Sequence, residues 1–243
     1  ASTARPEADV VICESTYSDV QHDPRKQIET RFVESVRTTM WQGGTVIVPA
    51  FAIGRTQELL LVCAANNIDC YVDGMGKQVT KMLKEYPQFI RGEEALGHAK
   101  SNARFVTGRD GQRKRIAEQN TVIVTTSGML SGGPAMTYIP EIRSNPTNKI
   151  TLTGYQVEGT PGRSLLETGR AEINDRIMPI SAQVEWYDFS AHADKDGLME
   201  LLNEYKDTRV LINHGDRCQR FADELNASEF DATAPTLGQE ISI

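Results

Sequence analysis

The sequence predicts an α/β fold with a largely parallel sheet, and two observations predict it. Short apolar runs alternate with amphipathic stretches along most of the chain. The punctuation between them suits helices, with Pro24 at one helix start and Gly43-Gly44 at its end. A third observation divides the chain. After about Ala171 the texture changes to consecutive strands followed by helix, strand and helix, and a domain boundary is placed near Ala182.

In chain order, Val10–Cys13 reads as a buried strand and Pro24 opens a helix reaching about Trp41. Thr45–Val48 is the next strand and Thr56–Asn66 the next helix. Further strands are expected at Cys70–Val72, Arg104–Val106, Val122–Val124 and Ile150–Leu152, with helices between most of them. Beyond Ala171 the expected elements are strands at Ile173–Ile180 and Gln183–Tyr187 and a helix at Lys195–Tyr205. A strand at Val210–Ile212, a helix at Cys218–Leu225 and a last strand near Ile241 follow.

Composition narrows the class. The 243 residues are 39% hydrophobic and 24% charged, which fits a globular rather than a disordered chain. No run of about 18 apolar residues is present to cross a membrane, and the first residues do not read as a secretory signal. The net charge of −7 is unusual for a nucleic-acid protein. Lysines number 9 against 17 arginines, and with the acidic excess this fits adaptation to concentrated salt; full stability in dilute buffer would count against that. Cys13, Cys63, Cys70 and Cys218 form no CxxC pair, so a zinc ribbon is not expected and a reducing, intracellular setting is.

The candidate chemistry sits at strand ends, where α/β folds gather their sites. His192, in Asp188-Phe-Ser-Ala-His-Ala-Asp194, follows a strand and precedes a helix that Asp194 can cap. His214, in Val210-Leu-Ile-Asn-His-Gly-Asp216, has the same placement. Either can ligate a metal or move a proton. Glu14 directly follows an apolar strand and can orient a histidine through its second ring nitrogen. His22 and His98 lie in polar, loop-like contexts and read as ordinary surface residues. Three glycine-bearing segments, 49–58, 125–133 and 154–163, follow apolar strands and can offer backbone N–H groups to a phosphate. Their candidate residues are Arg55, Ser127, Gly128, Gly154, Gly159, Thr160 and Arg163, and none matches a P-loop or dinucleotide fingerprint. The basic run Arg109–Arg115 reads as a solvated helix face.

Taken together, Glu14-Ser-Thr-Tyr17, the GRxQE of 54–58, Thr126-Ser-Gly-Met129, Gly154-Tyr-Gln-Val-Glu-Gly-Thr160, Phe189-Ser-Ala-His-Ala-Asp194 and Asn213-His-Gly-Asp216 resemble the β-CASP branch of the metallo-β-lactamase superfamily. Within it the chain is most similar to archaeal nucleases of the cleavage and polyadenylation specificity factor type. The resemblance implies a Rossmann-like β-CASP domain with a parallel sheet at 18–182. The C-terminal part of a metallo-β-lactamase αββα fold would occupy 183–243, with a strand remnant of that fold at 1–17. It makes Glu14 the motif A acid and His192 the motif B histidine that acts at the scissile phosphate. It makes His214 the motif C histidine, a ligand of one of two zinc ions, and a histidine there points to RNA. The family's HxHxDH cluster is absent, so the chain is expected to start downstream of most metal ligands and to be inactive alone. Ser18 stands where ESTYG has glycine. The implied activity is zinc-dependent hydrolysis of single-stranded RNA in 3′-end processing or decay, endonucleolytic or from the 5′ end, by a cytoplasmic protein that can form a homodimer. A non-catalytic RNA-binding scaffold is the alternative.

Overall fold

The computed structural model describes residues 5–242, which divide into two units: 23–189, and 5–22 with 190–242. The larger unit is a six-stranded, wholly parallel sheet. Its strands are β2 (Val46–Pro49), β3 (Cys70–Asp73), β4 (Ala103–Phe105), β5 (Val122–Thr125), β6 (Lys149–Thr153) and β9 (Gln183–Tyr187), in the order β4-β3-β5-β2-β6-β9. Successive side chains of a strand point to opposite faces. Val46, Val48, Val122 and Val124 therefore pack on one side with Phe32 and Val36 of α1 (Arg25–Trp41) and Leu59, Leu60 and Cys63 of α2 (Arg55–Ala65). Ile47 and Ile123 face the other side, against Tyr138, Ile139 and Ile142 of α6 (Ala135–Ile142) and Leu165 of α7 (Pro161–Thr168). Burial on both faces is why Val46–Val48 and Val122–Val124 are apolar at every position. The remaining helices of this unit are α3 (Gly76–Glu85), α4 (Glu93–Asn102) and α5 (Gln112–Ala117).

Two expectations in this unit are corrected. Ile173–Ile180 is not one strand but a hairpin of β7 (Arg170–Ile173) and β8 (Arg176–Pro179). Asn174 and Asp175 turn it, both at positive φ (50° and 60°), a conformation these two short polar side chains tolerate. The boundary expected near Ala182 falls at Phe189–Ser190, because β9 pairs along its full length with β6 and extends the sheet. Phe189 then closes the core, its ring 5.3 Å from that of Phe32.

The smaller unit holds a three-stranded parallel sheet, β1 (Val10–Glu14), β10 (Arg209–Asn213) and β11 (Asp231–Thr233), in the order β1-β10-β11. Cys13, Val210, Ile212 and Ala232 pack against Leu198 and Leu202 of α8 (Lys195–Leu202) and Phe221 and Leu225 of α9 (Cys218–Ala227). The upstream boundary lies after His22 rather than after Tyr17. Residues 18–22 are tied to the C-terminal segment, since Val20 O accepts from Lys195 N (3.0 Å) and Asp194 Oδ2 from His22 N (3.1 Å). The last strand is at Asp231–Thr233, not near Ile241. Phe230 and Ala232 have core to pack against, whereas Leu237 is fully exposed. No helix among the described residues is long and apolar enough to cross a membrane.

Candidate active site

Parallel pairing sets Glu14 directly opposite Asn213, so β1 and β10 end at one level. The residues that follow them, Ser15-Thr16 and His214-Gly215, are thereby brought together. A Cβ on Gly215 would fall 2.5 Å from Ser15 Oγ and 2.7 Å from its backbone, so only glycine admits this approach. Ser15 Oγ donates to Asn213 O (3.0 Å) and its N–H to His214 O (3.4 Å). His214 itself takes a positive φ of 49°. The serine in place of the family glycine, Ser18, is buried, donates its N–H to Ser15 O (3.2 Å) and is not among the residues with positive φ, so this turn has no need of glycine.

His192 enters from the loop before α8. Asp194 caps that helix, accepting from Gly197 N at 2.9 Å. The Gly197 and His22 amides hold its carboxyl below the usual carboxylate range. His22 does more than sit at the surface. It is half-buried, edge-on to Tyr17 at 4.6 Å, with Nε2 3.2 Å from the carbonyl oxygen of His192. Sequence reasoning missed this support because His22 and His192 lie 170 residues apart. His98 is exposed on α4.

The three predicted residues meet. Glu14 Oε1 lies 3.2 Å from His192 Nδ1, and Oε2 accepts from Thr16 N at 2.8 Å. The His192 and His214 rings stack at 5.6 Å, inclined by 21°. An ionised carboxylate only accepts, so Nδ1 of His192 donates to it. Among the described residues this trio is the one group of three or more His, Cys, Asp or Glu able to share a cation, its ligand atoms lying within 4.8 Å of one another. Imidazole nitrogen and carboxylate oxygen are the donors zinc takes. Both Glu14 oxygens already accept hydrogen bonds and His192 faces one of them, so the readily available metal donor is His214. A catalytic zinc takes about three protein ligands. The trio therefore fits zinc in donor type and supplies part of a coordination shell.

The predicted phosphate-binding residues all lie in the larger unit, at the carboxyl end of its sheet. A Cβ on Gly128 would fall 3.1 Å from Phe51 N and 3.2 Å from Ala50 C, tighter than ordinary van der Waals contact. Ser127 Oγ accepts from Ser131 N (2.9 Å). Gln156, a residue the sequence reading did not single out, ties two of the segments by donating from Nε2 to Gly128 O (3.3 Å) and Gly154 O (3.2 Å). Gly154 and Gly159 have positive φ, and Thr160 caps α7, accepting from Arg163 N (3.3 Å). Arg163 is partly exposed and pairs with Glu167. Arg55 is different. Its side chain is only 9% exposed, pairs with Glu58 and lies 5.6 Å from the Phe189 ring centre, so it is packed rather than displayed. Of the basic run, α5 presents Lys114 and Arg115 to solvent while Arg113 turns in to Asp73.

Asp73, at the end of β3, is a fully buried carboxylate that the sequence did not mark. It accepts from Arg113 Nε (2.7 Å), Tyr138 OH (3.0 Å), Gly74 N (2.7 Å) and Lys77 Nζ (3.2 Å). Burial pushes its carboxyl up, but Arg113, the Gly74 amide and Lys77 outweigh this and hold it below the usual range. Burial and the neighbouring Asp73 charge raise the Tyr138 phenol far above normal. A similar group on β6 and β9 joins nearly buried Lys149 to Glu185 (2.6 Å) and Ser35 (2.6 Å). The four cysteines are unpaired, and burial, then the Glu14 charge, pushes the Cys13 thiol up to about 11.

Stacked histidines beside a carboxylate at parallel strand ends mark the smaller unit, and a six-stranded parallel sheet makes the larger one. Comparison with known proteins makes this particular. Residues 56–165 match the Beta-Casp domain, and residues 177–235 match the Zn-dependent metallo-hydrolase RNA specificity domain. The chain belongs to the β-CASP branch of the metallo-β-lactamase superfamily. It is 36% identical to a probable RNase MJ4 of Methanocaldococcus jannaschii, across all of this chain and 58% of the relative. It is also 36% identical to RNase aCSPSF2 of Saccharolobus solfataricus, across 98% of this chain and 49% of the relative. To the transcription termination factor FttA of Pyrococcus abyssi it is 30% identical, across 89% of this chain and 37% of the relative. The chain thus spans about half the length of the relatives it matches.

Proposed function

We propose that this chain is the β-CASP and C-terminal portion of a zinc-dependent ribonuclease that hydrolyses phosphodiester bonds of single-stranded RNA. The observation that carries the reading is the meeting of Glu14, His192 and His214 in a chain that matches a metallo-hydrolase RNA specificity domain. His214 would supply one ligand to zinc, and the remaining ligands would have to come from residues other than this trio. Zinc, when bound, neutralises phosphate charge and acidifies water. In its doubly protonated form, with Nδ1 held by Glu14, His192 donates from Nε2 to a phosphate oxygen or the leaving oxygen. The strand-end loops around Ser127, Gly128, Gly154, Gly159, Thr160 and Arg163 offer amides, a hydroxyl and a guanidinium to the RNA backbone.

The test is cleavage of a labelled single-stranded RNA by the intact gene product in high potassium salt, with zinc and with a chelator. His192→Ala lowers the cleavage rate by about 10²–10⁴-fold with bound zinc retained, whereas His214→Ala lowers both. Wild-type rates in either variant overturn the reading. Binding without cutting in the wild type makes the protein a scaffold.

A further inference from the structure

Thr16 touches His214 twice through one atom. Its Oγ1 lies 3.0 Å from the His214 carbonyl oxygen and 3.1 Å from Nδ1 of the same residue. A hydroxyl has one hydrogen to give and lone pairs to receive. The carbonyl can only accept, so the Thr16 hydrogen is directed there. What Oγ1 offers the ring is a lone pair, and Nδ1 must then be the donor. A neutral imidazole carries a single N–H, so Nε2 is left with the lone pair. The opposite arrangement, with the hydroxyl donating to Nδ1, leaves Oγ1 and the carbonyl oxygen 3.0 Å apart with no hydrogen between them.

We propose that Thr16 is a positioning residue that holds His214 in the Nδ1–H tautomer, with Nε2 left as a donor for a divalent cation such as zinc. The nitrogen that binds a metal is set by the hydrogen bond the other nitrogen makes. By gripping the carbonyl and the ring together, Thr16 also restrains the side-chain torsions of a residue whose backbone lies in the left-handed region. The backbone N–H of Thr16 meanwhile donates to Glu14 Oε2, whose other oxygen faces His192. One residue thus orients both histidines, one through its hydroxyl and the other through its amide. Naming the cation rests on the proposed function, whereas the tautomer does not.

The experiment is long-range ¹H–¹⁵N NMR of the uniformly labelled, metal-free chain, about two units above the ordinary imidazole pKa of about 6.5. There are four histidines to resolve, and His214→Gln assigns the relevant one. Wild type shows His214 Nδ1 at a protonated shift and Nε2 at an unprotonated one. Thr16→Ser keeps this pattern. Thr16→Val, equal in shape but without the hydroxyl, moves His214 toward the Nε2–H form, with the other three histidines and the backbone amides unchanged away from the turn. A wild-type Nε2–H pattern, or no response in Thr16→Val, overturns the proposal even if cleavage proves zinc-dependent. Tautomer control in a protein that never cleaves overturns the proposed function and leaves the role of Thr16 standing.

Discussion

Glu14 and Asp73 occupy the same topological place, each a carboxylate ending a parallel strand, yet they have opposite surroundings. Glu14 is 28% exposed, and its side-chain partner His192 is 42% exposed with one nitrogen to spare. Asp73 is fully enclosed, and its partners are two cationic groups, a phenol and its neighbour's amide. At the first, water reaches an imidazole that shares one ring nitrogen with the carboxylate. At the second, guanidinium and ammonium groups stay charged and the carboxylate stays bare. A strand-end carboxylate is a site or a rivet according to what saturates it.

This contrast can be broken by neutralising each acid in turn. Asp73→Asn is expected to lose about 3 kcal/mol of stability, the low end for a broken buried pair, because Arg113 and Lys77 are partly exposed and regain water. Glu14→Gln is expected to lose less than about 1 kcal/mol, as exposed pairs do, and on the proposed function it also reduces RNA cleavage by the intact protein. Urea unfolding of both variants checks the ordering, and equal losses would erase the distinction.

Acid sharpens the comparison further. Asp73 and Glu185 are both held below their ordinary values; burial alone would raise them, and hydrogen bonds to Arg113 and Lys149 respectively outweigh it. Folded values below the unfolded ones of about 3.9 and 4.3 mean stability that is present above those values. It is lost as pH falls through the folded ones. The gap between wild type and Asp73→Asn should therefore be constant from neutral pH down to about pH 4 and close below it. A gap that closes nearer neutrality would contradict the assignment.

The smallest effect is expected at Arg163. Its pair with Glu167 is exposed, so Arg163→Ala changes stability by under about 0.5 kcal/mol. If the loop before α7 holds the RNA backbone, the same change makes the salt dependence of RNA binding shallower by about 0.7 in log–log slope. An unchanged slope removes Arg163 from the interface.

The strands and helices of the larger unit were readable because each carries its own periodicity and punctuation, as Val46-Ile-Val48 and the Pro24 start do. The hairpin at Asn174-Asp175 was readable in principle, since that pair favours positive φ, but its flanking apolar residues run on as one strand. β11 is short and gains its place only by pairing with β10. Glu14, His192 and His214 could be singled out because each directly follows or precedes a recognisable element. His22, Gln156 and Asp73 could not, because their partners lie far away in the chain or because nothing in their local sequence sets them apart.

By itself the sequence determined the α/β class, the family and the three residues of the candidate site, since these depend on local pattern and short motifs. The tertiary structure decided which carboxylate keeps a titratable partner, which arginine is packed instead of displayed, and which nitrogen of His214 is left with a lone pair. Those depend on distances between segments up to 198 residues apart, and hydrogen bonds and burial act through space.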